Sequence, residues 1–282
     1  MKISPTDNGC GAEIDGIDLL SMSDDEVEAI ADAQAAYGVV FFRDQSLTAD
    51  DQLAAAQRFG PINVNRFFTP VPEQPQVAIV LKEPHHEVNV GGGWHTDHSY
   101  DDAPALGSML YALEVPSSGG DTLFASMYKA YEALSPGLQR TVEGLRAVHS
   151  SRHVFGAEGA YTKEGDERYH NAEQATQDAV HPMVIRHPRS GRPALYVNPG
   201  FTVRIDGWTD EESRPLLEYL YGVAAQEEHT CRFRWEVGSV AFWDNRATWH
   251  YALNDYPGQR RLMHRVTVDG GTLSPFKGSS LI

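Results

Sequence analysis

The sequence is poor in cysteine, in positive charge and in long apolar runs, and each shortage argues against a particular class of protein or partner. Its two cysteines, Cys10 and Cys231, are weak evidence for a disulfide and favour a reduced, cytoplasmic protein. No apolar run approaches the roughly 20 residues that a membrane-spanning helix needs. Residues 1–7 lack the apolar core of a signal peptide. We therefore expect no membrane as partner.

The charge balance excludes a second class of partner. Acidic residues outnumber basic ones, 39 to 23, and the formal net charge is −16. Nucleic acids and anionic membranes require a basic surface, so neither is expected to bind. A small anionic substrate remains compatible with this charge, because a few buried arginines can form a local positive pocket inside an acidic protein.

The patterning of the chain predicts many strands with helices at their flanks. Capping residues begin helices at Ser23, Thr48 and Thr209. Strand-like runs cover residues 39–42, 105–112, 122–125, 232–236, 239–243 and 261–268. No internal repeat interrupts the 282 residues. Strands in this number, with helices set apart, favour a mainly β fold of sandwich or jelly-roll type over a parallel βαβ sheet.

Two further segments have the composition of covering loops. Residues 67–93 are rich in proline, histidine and glycine, and residues 150–179 are polar and without clear periodicity. Long loops often serve as lids or binding loops, and sometimes are only disordered. Because both segments flank candidate site residues, we interpret them as lids.

The motif His95-Thr96-Asp97 is the strongest chemical signal. On a strand, residues two apart point to the same side, so His95 and Asp97 are predicted to hold one metal from one side. The distant His250 would complete a face of two histidines and one carboxylate, the arrangement of non-haem Fe(II) oxygenases. Because the chain has twelve histidines, one His-x-Asp match is weak evidence by itself. The alternative is that His95 and Asp97 form only a surface or hydrogen-bonded pair. His98 is expected to point to the opposite side.

Two arginines follow the candidate ligand His250. Arg261 and Arg265 lie four apart, so with Met263 they share one side of a predicted strand. A buried arginine is costly unless an anion neutralises it, and guanidinium groups bind carboxylates in a bidentate fork. We interpret the pair as sites for two anionic groups; exposure to solvent, or pairing with acidic side chains, is the alternative.

A series of ordered motifs covers nearly the whole chain. They are GAEIDGIDL at 11–19, RFGP at 58–61, WHTD at 94–97, GGDT at 119–122, YVNPGF at 196–201, WDNR at 243–246 and RRLMHR at 260–265. In these motifs the sequence resembles the taurine dioxygenase family, which also contains the 2,4-dichlorophenoxyacetate and related aryloxyalkanoate dioxygenases. The resemblance implies one domain over residues 1–282, folded as a double-stranded β-helix.

The resemblance also implies the cofactors and the roles of individual residues. The enzyme would use Fe(II), O2 and the cosubstrate 2-oxoglutarate. By motif, His95, Asp97 and His250 would bind iron, Thr122 and Arg261 the distal carboxylate of 2-oxoglutarate, and Arg265 the acidic head of the substrate. Phe201 would pack against the substrate. Asn65 stands where taurine enzymes carry a histidine, and residues 91–93 are glycines where those enzymes have a polar stretch, so taurine itself is not indicated.

The predicted reaction is hydroxylation of a C–H bond in a small organic anion, with release of succinate and CO2. The substrate would be a carboxylate, a sulfonate or an aryloxyalkanoate. The same iron site also allows desaturation, cyclisation or oxidative cleavage. The sequence is compatible, too, with a non-catalytic 2-oxoglutarate-binding protein or with a jelly roll that holds structural zinc, although structural zinc usually has four Cys/His-rich ligands. Assembly into a homo-oligomer is left open.

Overall fold

The computed structural model describes residues 1–161 and 167–278. Within these residues the chain forms strands β1 (Lys2–Pro5), β2 (Ala12–Asp15), β3 (Val39–Phe42), β4 (Ile62–Asn63), β5 (Pro70–Val71), β6 (Gln74–Lys82), β7 (Gly107–Glu114), β8 (Thr122–Ser126), β9 (Arg146–Ser150), β10 (Asp178–Pro182), β11 (Val184–Arg186), β12 (Pro193–Leu195), β13 (Thr202–Ile205), β14 (Thr230–Phe233), β15 (Val240–Asp244), β16 (Thr248–Ala252) and β17 (Arg261–Val268). The mainly β class predicted from the sequence is confirmed.

Helices lie at the flanks of these strands. They are α1 (Asp24–Tyr37), α2 (Ala49–Gln57), α3 (Met127–Glu132), α4 (Pro136–Glu143), α5 (Arg152–Phe155) and α6 (Asp210–Ala224), with short 3-10 turns at Ala172–Gln174 and Glu227–His229. The N-caps Ser23, Thr48 and Thr209 each form a full capping box with the acidic residue three positions later. Each box satisfies amide groups that the first helical turn leaves without partners.

A large sheet forms one wall of the molecule. Its strand order is β1-β2-β3-β15-β7-β17-β6-β5, with β4 also paired to β17. The β2–β3 pair is parallel, whereas the other pairs in this sheet are antiparallel. Strand β17 lies between β7 and β6, so Met263 pairs with Ala112 on one side and Val80 on the other. Residues on β17 therefore lie in the middle of a rigid wall.

The core is layered on both faces of this sheet. One face packs against α1 and α2 through a cluster that includes Ile30, Leu53 and Phe242. The other face contributes to a second cluster, which it shares with Phe124 and Phe233 of a smaller sheet of order β14-β8-β16. The space between the two sheets is where inward-facing side chains of β8, β16 and β17 meet.

The two segments interpreted as lids contain regular structure. Residues 67–93 include β5 and β6, so this stretch is not one loop. The described part of 150–179 joins it through a bridge between Phe68 and Tyr169, and through the Arg168 guanidinium, which donates to the carbonyl of Val88 at 2.8 Å. Residues of both segments, among them Phe68 and Phe155, line one cavity.

Two expectations from composition can be compared with the structure. Cys10 and Cys231 are free thiols, as the composition favours, although their sulfur atoms are only 3.6 Å apart. Among residues 1–161 and 167–278, no helix has the length and apolar character that crossing a membrane requires.

Candidate metal centre and active site

The two histidines of the candidate metal centre are held together by backbone hydrogen bonds. His250 lies at the middle of β16, and His95 pairs with it in an isolated antiparallel bridge. The His95 amide donates to the His250 carbonyl at 3.1 Å, and the reverse bond measures 2.8 Å. The predicted strand over residues 95–97 is wrong, because Asp97 already lies in a turn. Convergence of the side chains comes from this bridge.

Asp97 is oriented by three neighbouring groups. The hydroxyl of Thr96 donates to the carbonyl of Asn245 at 2.7 Å and anchors the turn. The Ser108 hydroxyl donates to Asp97 Oδ2 at 3.1 Å, and Arg265 Nη1 lies 3.4 Å from the same oxygen. Oδ1 lies 3.5 Å from the same Arg265 Nη1 and faces the histidines, 3.8 Å from His95 Nε2 and 3.9 Å from His250 Nε2.

The protonation states of the three residues suit metal binding. His95 Nδ1 lies 2.8 Å from the carbonyl of Gly93, so Nδ1 carries the proton and Nε2 keeps its lone pair. Burial lowers the pKa of His95 and, more strongly, that of His250. Burial opposes ionisation of Asp97, but Arg265 and the histidines outweigh it and hold that pKa well below its usual range. Neutral imidazoles and a carboxylate are the forms that bind metals.

The three residues therefore fit a divalent metal ion. One ligand atom from each of His95, Asp97 and His250 lies within 4.8 Å of the others, and the three residues are half-buried or buried. Two imidazole nitrogens and one carboxylate oxygen on one side of an ion leave its other side accessible to further ligands. The structure thus brings together the three residues that the sequence singled out.

Arg261 has an unusual environment next to this centre. It is 4% exposed, and its Nε and Nη2 atoms have no hydrogen-bond partner among the described residues. Burial lowers the pKa of Arg261 to about 10, so the side chain is still cationic at neutral pH. Its guanidinium lies 5.5 Å from the ring of Trp235, whose Nε1 donates to Thr122 Oγ1 at 2.9 Å. A buried cation with free donors is suited to binding an anion.

Arg265 lies on the same side of β17 but has different neighbours. It contacts Asp97, and its guanidinium lies 4.4 Å from the centre of the Phe68 ring. Arg261, Met263 and Arg265 are buried while Leu262 and His264 are half-buried, which confirms the predicted alternation.

These groups line one cavity of about 350 Å³. Most of its wall is apolar or aromatic, including Val80, Tyr100, Leu110, Val154, Phe155, Tyr161 and Phe201, and the glycines at 91–93 also border it. The site residues predicted from the sequence all line this cavity, namely Asn65, His95, Asp97, Thr122, Phe201, His250, Arg261 and Arg265. A largely apolar cavity with a few convergent polar groups is the usual form of a small-molecule site.

Comparison with known proteins identifies the family. The family model described as "Taurine catabolism dioxygenase TauD, TfdA family" matches residues 2–267. The chain belongs to this family. It is a 2-oxoglutarate-dependent non-haem iron dioxygenase, and its cofactors are Fe(II), 2-oxoglutarate and O2.

Individual relatives agree with this assignment. The chain is 35% identical over 274 residues to the alpha-ketoglutarate-dependent sulfate ester dioxygenase of Pseudomonas putida, covering 96% of this chain and 90% of that protein. It is 34% identical over 280 residues to the 2,4-dichlorophenoxyacetate dioxygenase of Cupriavidus pinatubonensis, covering 92% of this chain and 94% of that protein.

Solved structures of similar proteins confirm the double-stranded β-helix. A taurine dioxygenase from Burkholderia xenovorans superposes with a TM-score of 0.81 at 34% identity, over 98% of this chain and 96% of that one. AAD-2, solved in complex with Mn(II) and N-oxalylglycine, has a TM-score of 0.82 at 26% identity, over 97% and 100% of the two chains.

Several residues around the dioxygenase site were not found from the sequence. Ser108, on β7, and Trp235, just after β14, gave no signal, because their contacts with Asp97 and Thr122 are long-range. His149, on β9, is fully buried, and burial holds its pKa well below the usual value. His98 does avoid the metal ligands, as expected. It is nonetheless buried, and it bonds Asp101 and Asn65.

Proposed function

We propose that His95, Asp97 and His250 are the iron ligands of this dioxygenase. The supporting observation is the convergence of their ligand atoms within 4.8 Å at the wall of the cavity. Ser108 and Arg265 hold Asp97, and the Gly93 carbonyl holds His95 in the ligating tautomer. Outer contacts of this kind orient metal ligands and commonly affect metal affinity by about 10- to 100-fold.

We also propose that Arg261 and Thr122 bind the distal carboxylate of 2-oxoglutarate. The buried guanidinium has free donors at Nε and Nη2, and the Thr122 hydroxyl is held near it by Trp235. A carboxylate bound there would neutralise a cation that is otherwise costly to bury. Arg261 would thus orient the cosubstrate relative to the metal.

The bound cofactors supply the oxidation, in which 2-oxoglutarate is decarboxylated to succinate and CO2 and a substrate C–H bond is hydroxylated. The protein's own residues bind and orient the reactants and exclude water. No side chain is assigned as a general acid or base. Desaturation, cyclisation or cleavage would need only a different placement of the substrate. Because the chain belongs to an enzyme family, the non-catalytic alternative is not retained.

The proposed substrate is a small organic anion with an apolar body. Arg265 supplies the charge for a carboxylate, sulfonate or sulfate head, while Phe201 and its aromatic neighbours supply an apolar wall. Asn65 is proposed as a further polar group at the substrate end. Relatives named for sulfate esters, 2,4-dichlorophenoxyacetate and (S)-phenoxypropionate support this class. The cavity offers no acidic side chain except Asp97 among its described lining, which disfavours a substrate amine.

Several broader features complete the proposal. We propose one domain over residues 1–282, and lids formed by the parts of 67–93 and 150–179 that lie outside the strands, because β5 and β6 belong to the large sheet. The protein acts in the cytoplasm on a free small molecule, with neither nucleic acid nor membrane as partner, and self-association into a homo-oligomer is compatible with this function.

The proposal can be tested by substrate-dependent succinate formation. The full chain is loaded with Fe(II) and 2-oxoglutarate without oxygen, and 2,4-dichlorophenoxyacetate, hexyl sulfate and taurine are added separately before air is admitted. We expect the first two to stimulate succinate release and to yield an oxidised product, with taurine weaker than both. No stimulation by any anion, or a clear preference for taurine, would contradict the proposed substrate class.

A further inference from the structure

His98, next to the proposed ligand Asp97, has a backbone conformation that demands support. Its φ is +59°, in the left-handed region that few residues other than glycine adopt, although histidine is found there more often than most. Its side chain is buried, yet it does not line the cavity. Such a conformation persists when surrounding contacts hold it in place. In His98 the two ring nitrogens make those contacts.

The directions of the hydrogen bonds made by His98 can be deduced by starting from its neighbour Asn65. Asn65 Oδ1 accepts the backbone amides of Phe67 at 2.9 Å and Phe68 at 3.1 Å, which fixes the orientation of the Asn65 amide. Its Nδ2 group therefore faces His98 Nε2, 3.4 Å away, as a donor. Nε2 must then accept, so Nδ1 carries the proton and donates to Asp101 Oδ2 at 2.9 Å.

The other end of the chain is also held. Asp101 Oδ1 accepts from Arg66 Nη2 at 2.6 Å, and both side chains are less than a quarter exposed. Every side chain from Arg66 to Asn65 thus has a specified partner and direction. Arg66 Nε has no partner among the described residues, but the bonds from Asp101 through His98 to Asn65 are all made, and hydrogen bonds satisfied in a low-dielectric environment rigidify the side chains that make them.

This unit ends at the aromatic ring that covers Arg265. The side-chain oxygen Oδ1 of Asn65 accepts the backbone amide of Phe68 and so fixes the backbone there. The Phe68 ring lies 4.4 Å from the Arg265 guanidinium. A cation over an aromatic face is stabilised in that position, more so when desolvated. Contacts from Asp101 to Phe68 therefore connect the turn after the metal motif to the surroundings of Arg265.

We propose that His98 is a positioning residue for substrate binding, which acts through Asn65 to hold Phe68 against Arg265. This inference rests on the proposed role of Arg265 as the receptor for the acidic head of the substrate. His98 itself touches neither substrate nor cosubstrate. Arg261 lies outside this set of contacts, so 2-oxoglutarate binding is independent of it.

The test uses the variant His98→Asn in the full chain. Asparagine tolerates the left-handed backbone and can still donate to Asp101 from the position of Nδ1, but it is too short to reach Asn65. The probe is whichever of 2,4-dichlorophenoxyacetate, hexyl sulfate and taurine gives the lowest KM with the wild type. We expect the KM for the probe to rise about three- to tenfold, as for a lost hydrogen bond. The KM for 2-oxoglutarate should not change.

A second measurement needs neither metal nor turnover. In the metal-free protein, the amides of Phe67 and Phe68 should exchange hydrogen faster in His98→Asn than in the wild type, since their acceptor is no longer held. Asp44→Asn is the control, because Asp44 has a similar left-handed φ of +56° at an exposed position. It should change neither exchange at 67–68 nor either KM.

The outcomes separate this inference from the proposed function. If Arg265→Met raises the KM for the probe but His98→Asn does not, only the positioning role is overturned. The same holds if His98→Asn raises the KM for the probe and the KM for 2-oxoglutarate equally. No effect of Arg265→Met, or no stimulation of the wild type by any probe, would overturn the proposed function and the inference with it. If His98→Asn does not fold, Asp101→Asn tests the same contacts at a residue that does not line the cavity, because an amide in place of the carboxylate cannot accept from both Arg66 and His98 in the same way; an unchanged probe KM in that variant overturns the role.

Discussion

Arg261 and Arg265 lie on the same side of one strand, yet their surroundings differ in a way that supports the different ligands proposed for them. Arg261 is buried against Trp235, with two guanidinium nitrogens lacking a partner among the described residues. Arg265 is also deeply buried, but it shares the carboxylate of Asp97 and lies over Phe68. Among the described residues Arg261 has no ion pair, whereas Arg265 is paired with Asp97.

The difference has an energetic consequence. A buried cation without an ion pair costs stability until an anion binds, so Arg261 would gain most from the carboxylate of 2-oxoglutarate proposed to bind there. Arg265 loses less when its ligand is absent, because Asp97 remains beside it. Arg265 is therefore suited to bind the substrate, and its contact with Asp97 also orients a proposed metal ligand. Cosubstrate and substrate sites can be distinguished on this basis even though both use arginine.

Removing the metal centre should abolish the function of both arginines. His95→Ala deletes one of three proposed ligands, and we expect succinate formation to fall below detection with or without substrate. Iron content after anaerobic loading should fall with it. His85→Ala, an exposed histidine in the same half of the chain, serves as the control. Normal succinate formation by His95→Ala would refute the metal assignment.

Arg261→Met should separate the two arginines most sharply. Loss of charge-assisted hydrogen bonds to 2-oxoglutarate is expected to raise its KM by about 10- to 150-fold, with little change in the KM for substrate. Without ligand, the melting temperature should be equal to or above that of the wild type, because an unpaired buried charge has been removed. Arg260→Met, on the neighbouring half-buried arginine, provides a matched control. Unchanged dependence on 2-oxoglutarate would contradict the role.

Arg265→Met should give the opposite pattern with a smaller magnitude. We expect the KM for substrate to rise about tenfold, in line with the loss of one charged contact. Iron affinity should weaken modestly, since Asp97 loses one of the groups that orient it. Arg265→Lys retains the charge and should recover part of the substrate affinity. A larger effect on 2-oxoglutarate than on substrate would show that the two arginines have been assigned to the wrong ligands.

The sequence was informative where structure is decided locally. Ser23, Thr48 and Thr209 were predicted as helix starts because a capping box involves residues only three apart, and all three boxes form. Burial of Arg261 and Arg265 on one side followed from the two-residue period of a strand. The fold and the reaction class followed from ordered motifs along nearly the whole chain.

Predictions failed or were lacking where structure depends on distant contacts. His95 and Asp97 were predicted on a strand, but the bond of Thr96 to Asn245 and the bridge to His250 produce a turn instead. His149 could not be identified as buried, because its strand neighbours became known only with the sheet. His98 did have a local signal, namely Asp101 three residues later, but its link to Asn65 spans 33 residues.

The smallest expected effect concerns the hydroxyl that accompanies Arg261. Trp235→Phe keeps an aromatic ring beside the guanidinium but removes the Nε1 donor that orients Thr122. The lost hydrogen bond is neutral and joins Trp235 to Thr122, not to the cosubstrate itself. We therefore expect the KM for 2-oxoglutarate to rise only about two- to fivefold. The control Trp208→Phe changes a partly exposed tryptophan and should have no effect. An increase as large as that of Arg261→Met would mean that ring position, rather than the unpaired guanidinium, governs cosubstrate binding.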